Sequence, residues 1–237
     1  MNLSIVIPAY NEEKRIKNTL ESVIYFLKNS EKINSYEIII VDDGSNDNTF
    51  SSIQKNKYIT VLKNSVNKGK GYSIKKGVLR AKCDFILFMD SDLATPMKEL
   101  DTLYQSILDG YDFVVASRNL KGSNIVVKQS KYRQFAGQFF PFFVNIIVGL
   151  KFKDTQCGFK LMKAEPAKKI FSIMTIDRFA FDVEMLYLAK NYGYKVAEVP
   201  VTWVDQKGST VHFLKDSWRM LHDLFKIRVN TILGKYK

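Results

Sequence analysis

Hydrophobic and polar positions follow two different periods along the first half of the chain. Short runs rich in Ile, Val and Phe have the length of buried strands, and segments with apolar residues at helical spacing lie between them. Strands are predicted at residues 3–7, 37–41, 58–62, 84–89 and 112–116. The first predicted helix has these apolar residues on one face: Ile16, Leu20, Val23, Ile24 and Leu27. Asn11 is its predicted cap, and the whole pattern predicts an α/β fold with a mostly parallel sheet.

The alternation ends near Arg118, and two apolar segments of another kind follow. Residues 135–150 are aromatic and aliphatic almost throughout and are interrupted by Pro141. Residues 213–232 have apolar side chains on one helical face, with Lys and Arg beside them. Each segment has two interpretations: a helix buried in the core, or an amphipathic element that lies in a membrane surface. We therefore divide a single domain into residues 1–118, 119–212 and 213–237.

Composition narrows the class of partner. The chain has 237 residues, of which 46% are hydrophobic, and this is enough for one sizeable core. Its formal charge of +12 implies an anionic partner, which could be nucleic acid, acidic lipid or a phosphate-bearing substrate. The lysines are spread along the chain and no nucleic-acid-binding motif is present, so we expect no nucleic acid. No secretory signal, apolar span or cysteine pair occurs, which favours a cytoplasmic protein lying peripherally on a membrane.

Polar residues follow three of the predicted strands, at residues 8–12, 42–45 and 90–92. The carboxyl ends of parallel strands lie at one edge of a sheet, so we expect these segments to converge there. Asp90 and Asp92 offer the hard oxygen ligands that Mg²⁺ prefers. Such residues also suit turns and helix caps, but their presence at three strand ends of one chain favours a functional interpretation.

Three further features receive weaker interpretations. Residues 68–71 contain two glycines but match neither a Walker A sequence nor a dinucleotide fingerprint, so they predict a helix start. Asp182 and Glu184 stand at a predicted helix start, where acidic residues favour the helix dipole without a catalytic role, and we keep Asp182 as a candidate for orienting the substrate. His212 and His222 have no ligand spacing with cysteine, and we assign them no metal.

The order of motifs resembles glycosyltransferase family 2. In chain order the segments are LSIVIPAYNEE, EIIIVDDGSNDNT, NKGKGYSIKKG, FILFMDSDLATP, DFVVASR and DTQCGFK. Two later segments, RFAFDVEMLYLA and VPVTWVDQKGST, make the chain similar to the dolichyl-phosphate glucosyltransferase branch, close to the dolichyl-phosphate mannose synthases. The resemblance implies the GT-A fold, which is a Rossmann-like, mostly parallel sheet flanked by helices, and an inverting transferase.

The resemblance also implies a reaction and its partners. A hexose, with glucose ranked first, would move from a nucleotide sugar to dolichyl or polyprenyl phosphate at a membrane surface, with Mg²⁺ or Mn²⁺ as cofactor. UDP-glucose is the first-ranked donor and GDP-mannose the second. Residues 1–118 would then bind the donor, residues 119–212 the acceptor, and residues 213–237 the membrane.

Donor-binding residues follow from the same resemblance: Pro8, Tyr10, Glu12, Asp42, Asp43, Lys70, Asp90 and Ser91. The metal ligands would be Asp90 and Asp92, and the metal would stabilise the negative charge on the departing diphosphate. Arg118 and Arg133 complete the expected catalytic set, because a guanidinium group binds phosphate oxygens through a planar fork.

The acceptor decides whether a catalytic base is needed. A phosphate monoester has a second pKa of about 6 and is largely an anionic nucleophile at neutral pH, so no base is obligatory. The expected acceptor-binding residues are Lys128, Lys131, Arg133, Asp154, Gln156, Lys160, Lys207 and Ser209. One departure from the branch leaves an acceptor contact open, because Gly208-Ser209 is followed by Thr210 where the branch often has Lys.

Two other functions stay open at this point. The first is a family 2 enzyme that glycosylates a hydroxyl of a polysaccharide, glycolipid or protein, with Asp154 or Asp182 as the base. The second is a catalytically inactive nucleotide-binding scaffold. We expect membrane attachment to depend on the two amphipathic segments and on positive charge rather than on a membrane-spanning anchor.

Overall fold

A computed structural model describes residues 1–127, 131–206 and 213–236. The strands are β1 (Asn2–Ala9), β2 (Ser35–Asp42), β3 (Ile59–Lys63), β4 (Phe85–Met89), β5 (Phe113–Ser117), β6 (Asn124–Val127), β7 (Phe159–Lys163), β8 (Val196–Pro200) and β9 (Thr202–Val204). The helices are α1 (Ile16–Asn29), α2 (Lys70–Arg80), α3 (Leu100–Leu108), α4 (Lys131–Val148), α5 (Ala164–Ile173), α6 (Phe181–Asn191) and α7 (Phe213–Ile232). A short 3-10 helix, Met97–Glu99, precedes α3.

Seven strands form one sheet in the order β3-β2-β1-β4-β7-β5-β8. Neighbouring strands are parallel except that β7 runs antiparallel to both β4 and β5. The five predicted strands are all present, within two residues of their predicted ends. The predicted α/β fold with a mostly parallel sheet is thus confirmed, while β7, which the pattern did not predict, is inserted between two of its strands. Strands β6 and β9 pair separately.

Apolar side chains cover both faces of the sheet. In β1, Ile5 and Ile7 point to the face covered by α1 and α3, whereas Val6 points to the face covered by α2, α4, α5, α6 and α7. A strand buried on both faces requires a continuous apolar run, which explains the sequence pattern. Helix α2 approaches the sheet closely at Gly77, where a Cβ atom would lie 2.4 Å from Val6 Cγ1.

The predicted cap at Asn11 is wrong. Helix α1 begins at Ile16, and the residue before it, Arg15, makes no side-chain capping bond. Asn11 has φ of 57°, in the left-handed region that Asn tolerates. Its Oδ1 accepts a hydrogen bond from the Asn46 N–H at 3.0 Å, and its own N–H donates to Ser45 Oγ at 3.0 Å. Asn11 therefore ties the loop after β1 to the loop after β2.

Helix α4 contains most of the apolar segment at residues 135–150. One side of it is buried as the core interpretation predicts, and the membrane-surface interpretation stays a prediction for the exposed side. Val144 and Val148 are buried in the core, whereas Phe142 and Ile146 are 57% and 66% exposed.

Helix α7 has the same two-sided character and packs against α4. Leu224 and Ile227 are buried, while Trp218, Phe225 and Ile232 are exposed on the opposite side. Among the helices of the described residues, none combines the length and apolar character that a bilayer crossing requires.

Candidate functional site

The ends of β1, β2 and β4 meet around one pocket of about 210 Å³. Its lining includes most of the predicted donor and metal residues: Pro8, Tyr10, Glu12, Asp43, Lys70, Asp90, Ser91 and Asp92. The predicted convergence of the three strand-end segments is thus present in the structure. Asp42, the remaining predicted donor residue, is fully buried beside the pocket wall.

Asp90 is held in place by groups from two other elements. The Lys70 Nζ atom, at the start of α2, lies 2.5 Å from Asp90 Oδ1. Burial alone would lower the pKa of Lys70, but the carboxylates of Asp90 and Asp182 outweigh it and raise that pKa, so the ammonium form is favoured. Behind the carboxylate, a Cβ atom at Gly158 would lie 2.0 Å from Asp90 Oδ2. A side chain at residue 158 would therefore displace the Asp90 carboxylate.

Asp92 lines the same pocket in an unfavourable setting for a negative charge. Burial raises the pKa of its carboxyl group, and the nearby charge of Asp90 raises it further, although the Ala94 N–H at 3.0 Å opposes the shift. A bound cation would relieve this repulsion, so the two carboxylates fit Mg²⁺ or Mn²⁺. The described residues contain no group of three or more His, Cys, Asp or Glu side chains arranged for a metal. The other ligands would therefore come from phosphate and water.

Glu12 and Arg15 form a second charged pair in the pocket lining. The Arg15 Nε and Nη2 atoms donate to the two Glu12 carboxylate oxygens at 2.6 and 2.8 Å. Burial raises the pKa of Glu12 despite this pair.

The two carboxylates after β2 have different partners. Asp43 accepts hydrogen bonds from the N–H groups of Lys68 and Gly69 at 2.9 and 2.8 Å, and it thereby fixes the start of α2. Asp42 Oδ1 accepts one from the Ser45 N–H at 3.1 Å. Asp42 Oδ2 is buried and has no hydrogen-bond partner among the described residues. Since a buried unpaired oxygen is costly, a ligand donor group would stabilise it.

Arg118 does not extend its guanidinium group into the pocket as the sequence led us to expect. Its Nε and Nη2 atoms donate to the two Asp154 carboxylate oxygens at 2.6 and 2.9 Å, and the group lies 5.4 Å from the Trp203 ring centroid. Burial alone would raise the pKa of Asp154, but Arg118 outweighs it and the pKa is lowered. The expectation that the Arg118 guanidinium group is free to bind phosphate is wrong. Asp154 is only 3% exposed, so it cannot contact an acceptor or serve as a base.

Lys160 is also misassigned by the sequence. It is fully buried, and its Nζ atom donates to Asp182 Oδ1 and to the Cys157 carbonyl oxygen, each at 2.6 Å. The predicted acceptor contact is therefore wrong, because no ligand reaches this ammonium group. Asp182 is 2% exposed and its Oδ1 atom is paired with Lys160, so its predicted role as a base or in orienting the substrate is wrong as well. Burial raises the pKa of Asp182, and Lys160 opposes that shift.

A comparison with protein families matches the description "Glycosyl transferase family 2" over residues 4–171. The chain belongs to glycosyl transferase family 2. Its family relatives include the dolichyl-phosphate beta-glucosyltransferase of Dictyostelium discoideum, which is 38% identical over 249 residues, covering 99% of this chain and 76% of the relative. The enzyme of the same name from Homo sapiens is 32% identical over 253 residues, covering 99% and 77%. The predicted family and branch are confirmed.

Solved structures of other transferases share the fold of this family 2 chain. Mannosyl-3-phosphoglycerate synthase from Rubrobacter xylanophilus superposes with a TM-score of 0.72 at 17% identity, covering 99% of this chain and 75% of that one. Glucosyl-3-phosphoglycerate synthase from Mycobacterium tuberculosis, solved with Mn²⁺, UDP and phosphoglyceric acid, gives a TM-score of 0.68 at 17% identity, covering 99% and 78%. The predicted GT-A fold is confirmed.

Several predicted acceptor residues of the family 2 chain stay predictions. Lys128, Lys207 and Ser209 lie outside the described residues, as does His212. The α4 backbone contains Lys131 and Arg133, but their side chains lie outside the description.

Gln156 is half-buried, and its side-chain amide donates to the Phe179 carbonyl oxygen at 3.4 Å. Its acceptor role also stays a prediction.

The pocket of this family 2 chain also contains residues that sequence reasoning missed: Arg15, Asn67, Arg178 and Phe179. Arg178 and Phe179 begin the RFAFDVEMLYLA segment, which identified the branch but gave no sign that these side chains reach the donor edge. The chain brings them there because Gly69 and Gly71 pack tightly on residues 176–181, where a Cβ atom at either glycine would clash.

Proposed function

We propose that this enzyme transfers glucose from UDP-glucose to dolichyl or polyprenyl phosphate, with inversion, at a membrane surface. One observation carries the proposal: the end of β4 and the start of α2 bring Asp90, Asp92 and Lys70 to one pocket in a chain 38% identical to a dolichyl-phosphate beta-glucosyltransferase. The pocket joins an acidic pair suited to a divalent cation with cations suited to phosphate.

The charges around the pocket support departure of a nucleoside diphosphate. Negative charge accumulates on the leaving phosphate as the glycosidic bond lengthens, and Mg²⁺ or Mn²⁺ held by Asp90 and Asp92 would neutralise part of it. Lys70, Arg15 and Arg178 add positive charge to the lining from three different elements. The ion pair with Asp90 keeps the Lys70 ammonium at the metal side of the pocket.

The far side of the pocket supports a nucleoside. Asp42 Oδ2 has no partner among the described residues, but Asp42 is fully buried and does not line the pocket, so a nucleobase N–H would reach it only if the covering loop moved aside. Tyr10 offers a ring for stacking, and Pro8 and Glu12 line the same wall. These features favour a nucleotide sugar as donor.

The acceptor follows from what the two predicted bases do in the fold. A hydroxyl acceptor needs a base within reach of its proton, but Asp154 and Asp182 are both buried and paired with cations. A lipid monophosphate is already an anion at neutral pH and needs no base. This contrast favours the phosphate acceptor over a hydroxyl acceptor.

Exposed apolar side chains support contact with the cytoplasmic face of a membrane. We define the apolar face as Phe142 and Ile146 of α4 with Trp218, Phe225 and Ile232 of α7, all of which are exposed. The two helices pack together, and grouped exposed apolar residues indicate an interaction surface where scattered ones do not. A surface-bound enzyme would meet its lipid acceptor without a membrane-spanning helix.

The test is identification of the product by mass spectrometry. Purified enzyme with MnCl₂ and detergent-dispersed dolichyl phosphate is given UDP-glucose, UDP-galactose or GDP-mannose in separate reactions. We expect hexosyl phosphodolichol from UDP-glucose and from neither of the other donors. No product should form when dolichol replaces dolichyl phosphate as the acceptor. A product from GDP-mannose alone would mean that the donor is GDP-mannose. Turnover on free saccharides without any lipid product would mean that the acceptor is a hydroxyl group and not a lipid phosphate. Binding of UDP without any transfer would favour the scaffold.

A further inference from the structure

A second concave surface lies next to the donor pocket, between the start of α2, the segment before α6 and the exposed side of α7. It has a volume of about 410 Å³. We define the basic groove by its lining residues, which are Lys68, Thr175, Ile176, Asp177, Arg178, Trp218, Arg219, His222, Asp223 and Lys226. Apart from Arg178, which also lines the donor pocket, and Trp218, which belongs to the apolar face, none of these residues has a role assigned so far.

The basic groove has an excess of positive charge. Lys68, Arg178, Arg219 and Lys226 face two carboxylates, those of Asp177 and Asp223, so four cations stand against two anions. All four cations are exposed, and none of them forms an ion pair within the described part of the chain. Positive groups gathered in a concave surface attract phosphate, and guanidinium groups bind its oxygens through two parallel hydrogen bonds.

The groove borders the apolar face. Trp218 lines the groove, is 74% exposed, and is also the first residue of the exposed apolar stripe on α7. Arg219 and Lys226 flank this stripe on the same side of the helix. Tryptophan is favoured at the boundary between headgroups and acyl chains, so a membrane contacted by the apolar face would present its headgroups at the depth of the groove.

We propose that the basic groove binds the phosphate of an anionic phospholipid headgroup while the apolar face contacts the acyl region. The proposal rests on the membrane contact proposed above and adds a specific headgroup site to it. A soluble phosphate would meet the same cations but would gain nothing from the exposed stripe beside them, and continuity with that stripe is why we commit to a lipid. Because Arg178 lines both the groove and the donor pocket, the bound lipid would set the orientation of the pocket to the membrane.

The first test compares binding to vesicles of phosphatidylcholine alone with binding to vesicles that also contain phosphatidylglycerol. The double variant R219Q/K226Q removes two groove cations. The control K17Q/K28Q removes two exposed lysines from α1, on the opposite face of the sheet. We expect the groove variant to bind phosphatidylglycerol vesicles about 25-fold more weakly, at about fivefold per cation, and the control to change by less than about twofold.

The second test is a spectroscopic signal local to the groove. Of the two tryptophans, Trp203 is 8% exposed and Trp218 is 74% exposed, so Trp218 dominates any change at the surface. Phosphatidylglycerol vesicles should shift the tryptophan fluorescence emission to shorter wavelength and protect the fluorescence from quenching by acrylamide. The W218F variant should lose both effects. This measurement on the wild type keeps the proposal testable even if R219Q/K226Q folds poorly.

Three results would overturn the proposal. Equal losses in both double variants would mean that the diffuse charge of the protein attracts the vesicles. Equal binding to both kinds of vesicle would mean that the apolar face acts alone. Displacement by inorganic phosphate, at matched ionic strength and without preference for phosphatidylglycerol, would mean a site for soluble anions. Glucose transfer is measured separately on detergent-dispersed acceptor, so failure of the proposed function and failure of the groove are distinguishable.

Discussion

The carboxylates at the pocket edge and the buried ones at α6 and before β7 are the same chemical group in opposite settings. Asp90 and Asp92 line the pocket, whereas Asp154, Asp182 and Glu184 are each at most 3% exposed. Asp154 and Asp182 each pair with one cation. Glu184 has hydrogen bonds instead, from Thr175, Ile176 and the Tyr236 hydroxyl.

The two regions differ in whether their carboxylate oxygens are already paired within the protein or remain available to a ligand. Asp154, Asp182 and Glu184 each have partners within the protein, so these acids stabilise the walls of the site and cannot react. Asp92 is penalised by burial and by Asp90, which makes it receptive to a cation from solvent. The contrast assigns the chemistry to the pocket edge and the support of its geometry to the buried acids.

The largest expected effect is on activity, from D92N. Loss of this carboxylate removes the proposed stabilisation of the leaving diphosphate, and we expect glucose transfer to fall about 10³-fold, in the range known for removal of a group that stabilises transition-state charge. Initial rates with radiolabelled UDP-glucose measure it. The control E21Q, at an exposed residue of α1, should retain wild-type rates. Wild-type rates in D92N, or an equal loss of rate in E21Q, would contradict the assignment of the chemistry to the carboxylates at the pocket edge.

The next largest expected effect is a loss of stability in the K160M variant. It leaves the Asp182 carboxylate buried without its ammonium partner, which we expect to cost about 3 to 5 kcal/mol in the free energy of unfolding. Urea denaturation measures the loss, and K160M/D182N should recover part of it. K163M, on the same strand, breaks the more exposed pair with Asp112 and should cost at most about 1 kcal/mol. Equal losses in K160M and K163M would show that the buried pair has no special structural weight.

A smaller effect on activity is expected from G158A, which links the two regions. The added methyl group would lie against the Asp90 carboxylate and displace it, and a misplacement of about 1 Å costs about 10²-fold in rate. The ratio kcat/KM for UDP-glucose measures the loss.

The matched control for G158A is G77A, which also inserts a methyl group where there is no room, but against Val6 in the core. It should lower stability by about 1 to 3 kcal/mol and leave the rate per folded molecule unchanged. A normal rate in G158A would show that Asp90 tolerates displacement.

The smallest effect is stabilisation by the metal and its dependence on pH. At about ten times its Kd, MnCl₂ should stabilise the wild type by about 1.4 kcal/mol, which raises Tm by about 3 to 6 °C. Because the folded-state pKa of Asp92 is raised, its protonated form contributes stability at low pH that is lost as pH rises through that pKa. The metal competes with this proton, so its effect should weaken as pH falls. Differential scanning fluorimetry should detect little Mn²⁺ effect in D92N at any pH.

The sequence predicted the strands of the first half and the pocket edge because continuous apolar runs and strand-end polar residues leave a clear periodic signal. It missed β7 and β8, because their segments, FKLMK and VAEVP, lack the continuous apolar run of the other buried strands. It also misjudged Lys160 and Arg118. A sequence gives the identity of a charged side chain but not its depth, and both partners, Asp182 and Asp154, are far away along the chain.

The antiparallel strand between β4 and β5 has a consequence for how the protein is made. The Asp90 N–H donates to the Gly158 carbonyl oxygen, and β7 pairs with strands synthesised long before it. A chain emerging from the ribosome would contain every carboxylate of the donor pocket before β7 is synthesised. Until then it would lack the segment at Gly158 that holds Asp90 in position. Long-range pairing of this kind is slow, so we expect catalytic competence to be among the last properties gained during folding.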